Sequence, residues 1–100
     1  MPELQVIARH TMRRGTEDQA LGLVADLIAA SRTEPGNLGF AAYRSFDDPQ
    51  SYVLLERYAS RAAFAAHRES EHFKDIVLGR LAPILESRTV EAFDVEEEDH

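Results

Sequence analysis

The stretch Tyr52-Val53-Leu54-Leu55-Glu56-Arg57-Tyr58 constrains this chain more than any other. Its aromatic and branched residues predict a β-strand. A strand in a sheet with helices on one side and water on the other alternates apolar with polar residues. Here both parities are largely apolar. Tyr52, Leu54, Glu56 and Tyr58 lie on one side, and Val53, Leu55 and Arg57 on the other. The first and last predicted strands repeat the pattern, with Val6 and Ala8 opposing Ile7, and Val90 and Ala92 opposing Phe93 and Val95. Such a sheet has to be covered twice. Helices can cover one face, and the other keeps an apolar patch of several hundred Å², a size that marks an interface. The expected solution is a homodimer packed through the sheet face.

The remaining elements follow from local signals. Residues 4–12 read as a strand and Arg13-Arg14-Gly15 as a turn. Thr16 is the expected N-cap of a helix over 17–31, with Gln19 completing a capping box and Glu17 and Asp18 in the first turn. Leu21, Val24, Leu27 and Ile28 recur at helical spacing. Glu34-Pro35-Gly36-Asn37 ends that helix. Residues 38–45 and 51–58 form a hairpin about Asp47-Asp48-Pro49-Gln50. Ser60 caps a helix from Arg61 to Glu69, and a second helical piece covers 71–79 and can continue to Leu81. Pro83 closes it, and Thr89–Val95 is the last strand. The order β-α-β-β-α-β predicts a ferredoxin-like α+β fold, an antiparallel sheet with helices on one face.

Charge and composition narrow the function classes. Eighteen acids against eleven bases give −7, but five of the acids lie in the last seven residues. Without those five, thirteen acids face eleven bases, a net −2. The expected organisation is therefore one domain over residues 1–95 and a solvated, disordered acidic tail over 96–100. No basic stripe is present for phosphate backbones, so nucleic acid is not an expected partner. The chain has no cysteine, which removes disulfides, thiolate metal sites, Fe–S clusters and cysteine nucleophiles. No apolar run approaches the ~20 residues of a membrane span, and the N-terminal residues lack the pattern of a signal peptide. The expectation is a cytoplasmic protein without membrane contact.

Common catalytic signatures are missing: there is no Gly-rich phosphate loop, no G-x-S-x-G and no H-E-x-x-H. What remains is a cluster of Glu56, Tyr58, Phe64, His67, His72 and Phe73. His67 shares a helix face with Phe64 by i, i+3 spacing. A histidine facing an apolar pocket can serve as a base near neutral pH; it can equally be a satisfied histidine at the core edge. His72 lies near the break between two helical pieces and can be a cap or a pocket residue. The two histidines are five apart, off the i, i+4 spacing of helical metal ligands, and no third ligand is evident, so no metal is expected. Glu56 sits mid-strand among apolar residues and must find a donor or stay neutral, as part of an ion pair or as a pocket acid. His10 is expected to be peripheral.

Taken in order, Glu34-Pro35-Gly36, Tyr43-Arg44-Ser45, Asp48-Pro49, Tyr52 through Ser60, Phe64, Ala66-His67 and Ser70-Glu71-His72-Phe73 resemble the antibiotic biosynthesis monooxygenase family. The resemblance covers residues 3–95. It implies a dimeric ferredoxin-like α+β barrel with a ligand pocket between sheet and helices. It also implies one of several activities: cofactor-independent oxidation of quinols or polyketide aromatics by O₂, haem breakdown, or isomerisation of a phosphorylated signalling sugar. The family's polyketide oxygenases have Asn, Trp and Tyr where this chain has Leu54, Tyr58 and Phe64. The haem-degrading branch has Trp at His67, a haem-ligating His at Val77, and Asn at Ala8. The His67…His72-Phe73 pattern with Glu56 resembles the small quinol-monooxygenase and autoinducer-isomerase branch.

That resemblance implies a monooxygenase that uses no cofactor and acts on a quinol or small aromatic substrate with O₂. His67 would be the base or a donor to the substrate oxygen, Tyr58 would orient that oxygen, and Glu56 would hold a neighbour. Phe64, Phe73, His72, Leu54 and Tyr43 would contact the substrate. Two other readings stand beside it. One is an isomerase of a small phosphorylated metabolite, which needs an arginine such as Arg9, Arg44 or Arg68 turned into the pocket. The other is a small-ligand binding or stress-response module without turnover.

Overall fold

Strands form where branched and aromatic residues cluster, and helices form where apolar residues recur every three to four positions. The computed structural model describes residues 2–95; the expected acidic tail, 96–100, lies outside the described residues. The order is β1 (Glu3–Met12), α1 (Glu17–Ser31), β2 (Asn37–Arg44), β3 (Ser51–Tyr58), α2 (Arg61–Glu69), a π-helical segment (Phe73–Leu81), a 3₁₀ turn (Ala82–Ile84) and β4 (Leu85–Val95). The strands make one antiparallel sheet in the order β2-β3-β1-β4. This is the expected ferredoxin-like α+β arrangement.

Parity sorts the side chains as the sequence predicts. Leu4, Val6, Ala8, His10 and Met12 of β1 are buried on the inner face, opposite Tyr52, Leu54, Glu56 and Tyr58 of β3. Above them α1 contributes Ala20, Leu23, Val24 and Leu27, and the π-helical segment contributes Phe73, Ile76, Val77 and Leu81. The outer face is apolar at its centre, where Ala41, Leu55 and Ile7 sit side by side across β2, β3 and β1. Tyr43 and Phe93 extend that patch and are 57% and 48% exposed. Ion pairs Arg9–Glu91 and Arg57–Glu3 rim it. No helix among the described residues is long and apolar enough to cross a membrane.

Three local expectations change. Thr16 does not cap α1 through its side chain: its hydroxyl donates backward to the Arg13 carbonyl at 2.6 Å, and its backbone lies at ψ 4°, outside the extended geometry a capping box needs. The second helical piece is wound as a π-helix, with the Ala82 N–H bonded to the Val77 carbonyl. Side-chain spacing alone cannot distinguish that winding from an α-helix over two turns. Strand β4 begins at Leu85 rather than Thr89, because pairing with the full length of β1 draws in the polar residues Glu86, Ser87 and Arg88. By contrast Ser60 caps α2 as expected, its Oγ accepting from the Ala63 N–H at 3.1 Å.

Gly36 fixes how closely the α1–β2 connection approaches α2. A Cβ on Gly36 would lie 2.4 Å from the Ala63 Cβ, and the Gly36 carbonyl accepts from the Ala59 N–H at 2.9 Å. A methyl group there has to push α2 off the sheet. Gly36→Ala is expected to destabilise the fold by about 1–3 kcal/mol, read as a lower urea midpoint. An unchanged midpoint would mean the two segments are not in contact.

Candidate functional site

A cavity of about 620 Å³ lies between the inner face of the sheet and the α2 and π-helical layer. Strands β1, β3 and β4 form its floor, and α1, α2 and the π-helical segment supply its other sides. Most of its lining residues are apolar, among them Val6, Leu27, Leu54, Phe64, Phe73 and Val77, although polar side chains supply much of its surface. The polar groups in the lining are few: His10, Glu56, Arg61, Arg68 and Arg88. An apolar pocket with a few convergent polar groups is the common form of a small-molecule site.

Glu56 is the carboxylate within this cavity. It is 5% exposed, and burial pushes its acid constant up from 4.5 to about 7. The hydroxyl of Tyr58 donates to Glu56 Oε1 at 2.6 Å and opposes that rise in part. Tyr58 itself is fully buried, and its ring packs on Phe64 and His67 at centroid distances of 5.2 and 5.3 Å. Its hydroxyl is thus committed to Glu56, and it acts on the cavity through that carboxylate.

His67 stands one layer behind the wall. It is 2% exposed, stacked on Phe64 and edge-on to Phe73. Its Nδ1 is 2.7 Å from Glu34 Oε2, and its Nε2 is 3.9 Å from Glu56 Oε1. Burial lowers its proton affinity more than the Glu34 carboxylate restores it, so the neutral imidazole is favoured. A neutral ring facing Glu34 carries its proton on Nδ1 and leaves the Nε2 lone pair toward Glu56. His72 completes the row, its Nε2 lying 2.5 Å from the same Glu34 oxygen. The arrangement is a line from the cavity outward: Glu56, His67, Glu34, His72, the last with its side chain 23% exposed.

The structure therefore brings Glu56, Tyr58, His67 and His72 into one connected group, with Leu54, Phe64 and Phe73 in the cavity wall beside it. Tyr43 is elsewhere. It pairs with Val53 on the outer face, and the sheet separates it from the cavity. Sequence reading missed Glu34, which looked like a helix terminator, and His10 and Arg88. His10 is buried in the cavity wall rather than peripheral, with Nδ1 2.7 Å from the Tyr52 hydroxyl. Arg88 shares the parity of Val90 and Ala92 and faces inward with them, but it precedes Thr89, where the strand was expected to begin.

Glu34, His67 and His72 together offer one carboxylate and two imidazoles within 4.8 Å of one another, a donor set that can hold a divalent metal. Here the carboxylate oxygen is shared between the two rings as a hydrogen-bond acceptor.

His10 gives the fold an acid limit. Burial, assisted by Arg88, lowers its acid constant from 6.5 to about 4. The folded state therefore disfavours the imidazolium. The stability this protects is complete above pH 6.5 and is lost as pH falls from there to about 4, on the order of 3 kcal/mol in all. His10→Asn, which can still bond Tyr52, is expected to lose less stability than the parent between pH 7.5 and 4.5 in urea titrations. An equal loss would place the acid sensitivity elsewhere.

Comparison with known proteins agrees with the fold. The family model described as antibiotic biosynthesis monooxygenase matches residues 4–78. The chain is 37% identical over 68 residues to Rv0793 of Mycobacterium tuberculosis (strain ATCC 25618 / H37Rv) and 28% identical over 60 residues to YcnE of Bacillus subtilis (strain 168). These matches cover 68% and 60% of this chain, and just under two thirds of each relative, 66% and 63%. The solved structure of Rv0793 superposes with a TM-score of 0.88 over 98% of this chain and 99% of that one, at 28% identity. A crystal structure of an antibiotic biosynthesis monooxygenase superposes at 0.87, also at 28% identity, over 94% and 99%.

Proposed function

This chain belongs to the antibiotic biosynthesis monooxygenase family, and from that premise we propose that it oxidises a quinol or small aromatic with O₂, using no cofactor, with Glu56 as the base. The relatives YcnE and Rv0793 carry provisional monooxygenase names, which supports oxygenation as the reaction class. The observation that carries the reading is Glu56: a buried carboxylate in an apolar cavity, with an acid constant near neutrality. A base is most effective when its acid constant lies near the working pH.

The chemistry asks little of the protein. A quinol that has lost a proton is electron-rich enough to reduce O₂ itself. Glu56 removes the phenolic proton. The anion passes one electron to O₂, and the radical pair collapses to a carbon–oxygen bond. The O–O bond then breaks, and the departing oxygen leaves as water with the proton Glu56 holds and the ring hydrogen. For hydroquinone the balance is hydroquinone plus O₂ to hydroxybenzoquinone plus water, with no outside reductant. The cavity contributes orientation and exclusion of bulk water. The neutral His67, held in one tautomer by Glu34, turns its Nε2 toward Glu56 at 3.9 Å, and a proton can pass between them once the two side chains close to hydrogen-bond distance. His67 is thus a positioning and relay residue in this account, with Glu56 rather than His67 meeting the substrate.

The protein is proposed to act as a homodimer through the outer sheet face. An apolar centre with a rim of ion pairs is how interfaces are built, and the outer face has that form. Oxygen-electrode recordings with a panel of quinols test the reaction. Protein-dependent uptake above autoxidation is expected, and its absence across hydroquinones, catechols and naphthohydroquinones would remove the oxygenase reading.

A further inference from the structure

We propose that the cavity holds a dedicated subsite for an ionised acid group, formed by Arg68, Arg88 and the free Nε2 of His10, so that the natural substrate is an aromatic carrying a carboxylate-type anion. The proposal deepens the quinol reading and rests on it for the aromatic part.

Three observations meet here. First, two guanidinium groups line one cavity without a carboxylate partner among the described residues. Arg9, Arg57, Arg61 and Arg80 each reach an acid, and Arg32 and Arg44 bond backbone carbonyls. Arg61, also in the lining, is taken by Asp94 at 3.0 Å. Glu69 lies on the rim of an adjoining smaller cavity with Arg68 and Arg88, yet bonds neither of them.

Second, both guanidiniums are held in place by the aromatic walls. The Arg68 Cζ lies 5.7 Å from the Phe64 ring centroid, and the Arg88 Cζ lies 5.8 Å from that of Phe73. These are cation–π distances. A guanidinium resting on a ring face keeps its N–H donors in the ring's plane direction, free for an anion. Burial lowers the proton affinity of Arg88, the Glu56 carboxylate partly restores it, and the Arg68 charge opposes it. Two like charges in one lining, with no carboxylate at ion-pair distance among the described residues, favour an anion that joins them.

Third, His10 has a polar atom without a partner. It is 98% buried, it pairs across the strands with Arg88, and while Nδ1 meets the Tyr52 hydroxyl, Nε2 has no hydrogen-bond partner among the described residues. If the Tyr52 hydroxyl donates to Nδ1, Nε2 carries the hydrogen and is a further donor. Buried polar atoms are usually satisfied, and a ligand oxygen would satisfy this one. Glu56, at the other polar position of the cavity, would repel a second acid but accept a phenol. The cavity is therefore polarised, one position suited to a hydroxyl and the other to an anion, with Leu54, Phe64 and Phe73 between for a ring.

Calorimetric titration under nitrogen separates binding from turnover. The probes are hydroquinone, 2,5-dihydroxybenzoate, which is the same ring with a carboxylate, and inorganic phosphate. The parent protein is expected to bind 2,5-dihydroxybenzoate at least about tenfold more tightly than hydroquinone, as charge-assisted pairing would give. The Arg68→Gln, Arg88→Gln double variant should bring the two affinities together. Equal affinities in the parent, no binding of 2,5-dihydroxybenzoate, or a preference that survives the double variant would each overturn the subsite. Phosphate binding as tightly as the aromatic acid would overturn the aromatic assignment. An anion preference without oxygen uptake would instead count against the oxygenase reading alone, and uptake of neutral quinols without the preference would count against the subsite alone.

Discussion

Replacing Glu56 with glutamine is expected to lower quinol-dependent oxygen uptake by about 10²–10⁴-fold, the usual contribution of a positioned base. Glutamine keeps the shape of the side chain and can still accept from the Tyr58 hydroxyl, so the cavity should survive. What it cannot do is take a proton. In the parent, uptake should rise with pH through about 7 as Glu56 ionises, and this rise should vanish in the variant. Stability should move the other way. The folded state favours protonated Glu56, so its contribution is complete below pH 4.5 and declines as pH rises from there to about 7, by on the order of 3 kcal/mol. Glu56→Gln removes that decline. A variant that is as stable as the parent or more so at pH 8, and nearly inactive, is the expected combination. Loss of activity together with loss of fold would instead make Glu56 a structural residue.

Placing an acid at Leu55 is expected to produce a monomer. Leu55 lies at the middle of the outer face, flanked by Ala41 and Ile7, and is 37% exposed in a single chain. Covering about 600 Å² of such surface is worth roughly 15 kcal/mol before association costs. An aspartate there would be buried without a partner, at a cost of several kcal/mol on each side of a symmetric interface. Sedimentation should give twice the chain mass of 11.2 kDa for the parent and 11.2 kDa for Leu55→Asp. The single chain should remain folded, because Leu55 points away from the core. A parent that sediments at 11.2 kDa at micromolar concentration would remove the dimer.

The fold was legible because its signals are short-range and redundant. The parity of Tyr52, Leu54 and Tyr58, the cap at Ser60 and the break at Pro35-Gly36 each point to one element order. Boundaries failed where tertiary contact decides, as at Glu86 to Arg88, which are strand only because β1 is there to pair with them. The site was legible in part. Glu56, His67, Phe64 and Phe73 stand out as polar or aromatic residues at inward positions, and the structure gathers them. Glu34 did not stand out, because its role depends on the distance between the end of α1 and α2, which spacing does not encode. Arg88 was hidden by the reading of β4 as starting at Thr89. Tyr43 was drawn to the site by its type, while its pairing with Val53 places it on the opposite face.

The decisive measurement is the fate of the two oxygen atoms of O₂. Under ¹⁸O₂, with hydroquinone or its carboxylated form as substrate, the parent is expected to place one labelled atom in the hydroxyquinone product and the other in water. An unlabelled quinone formed with a stoichiometric yield of hydrogen peroxide, or the same labelling rate with Glu56→Gln as with the parent, would contradict the account.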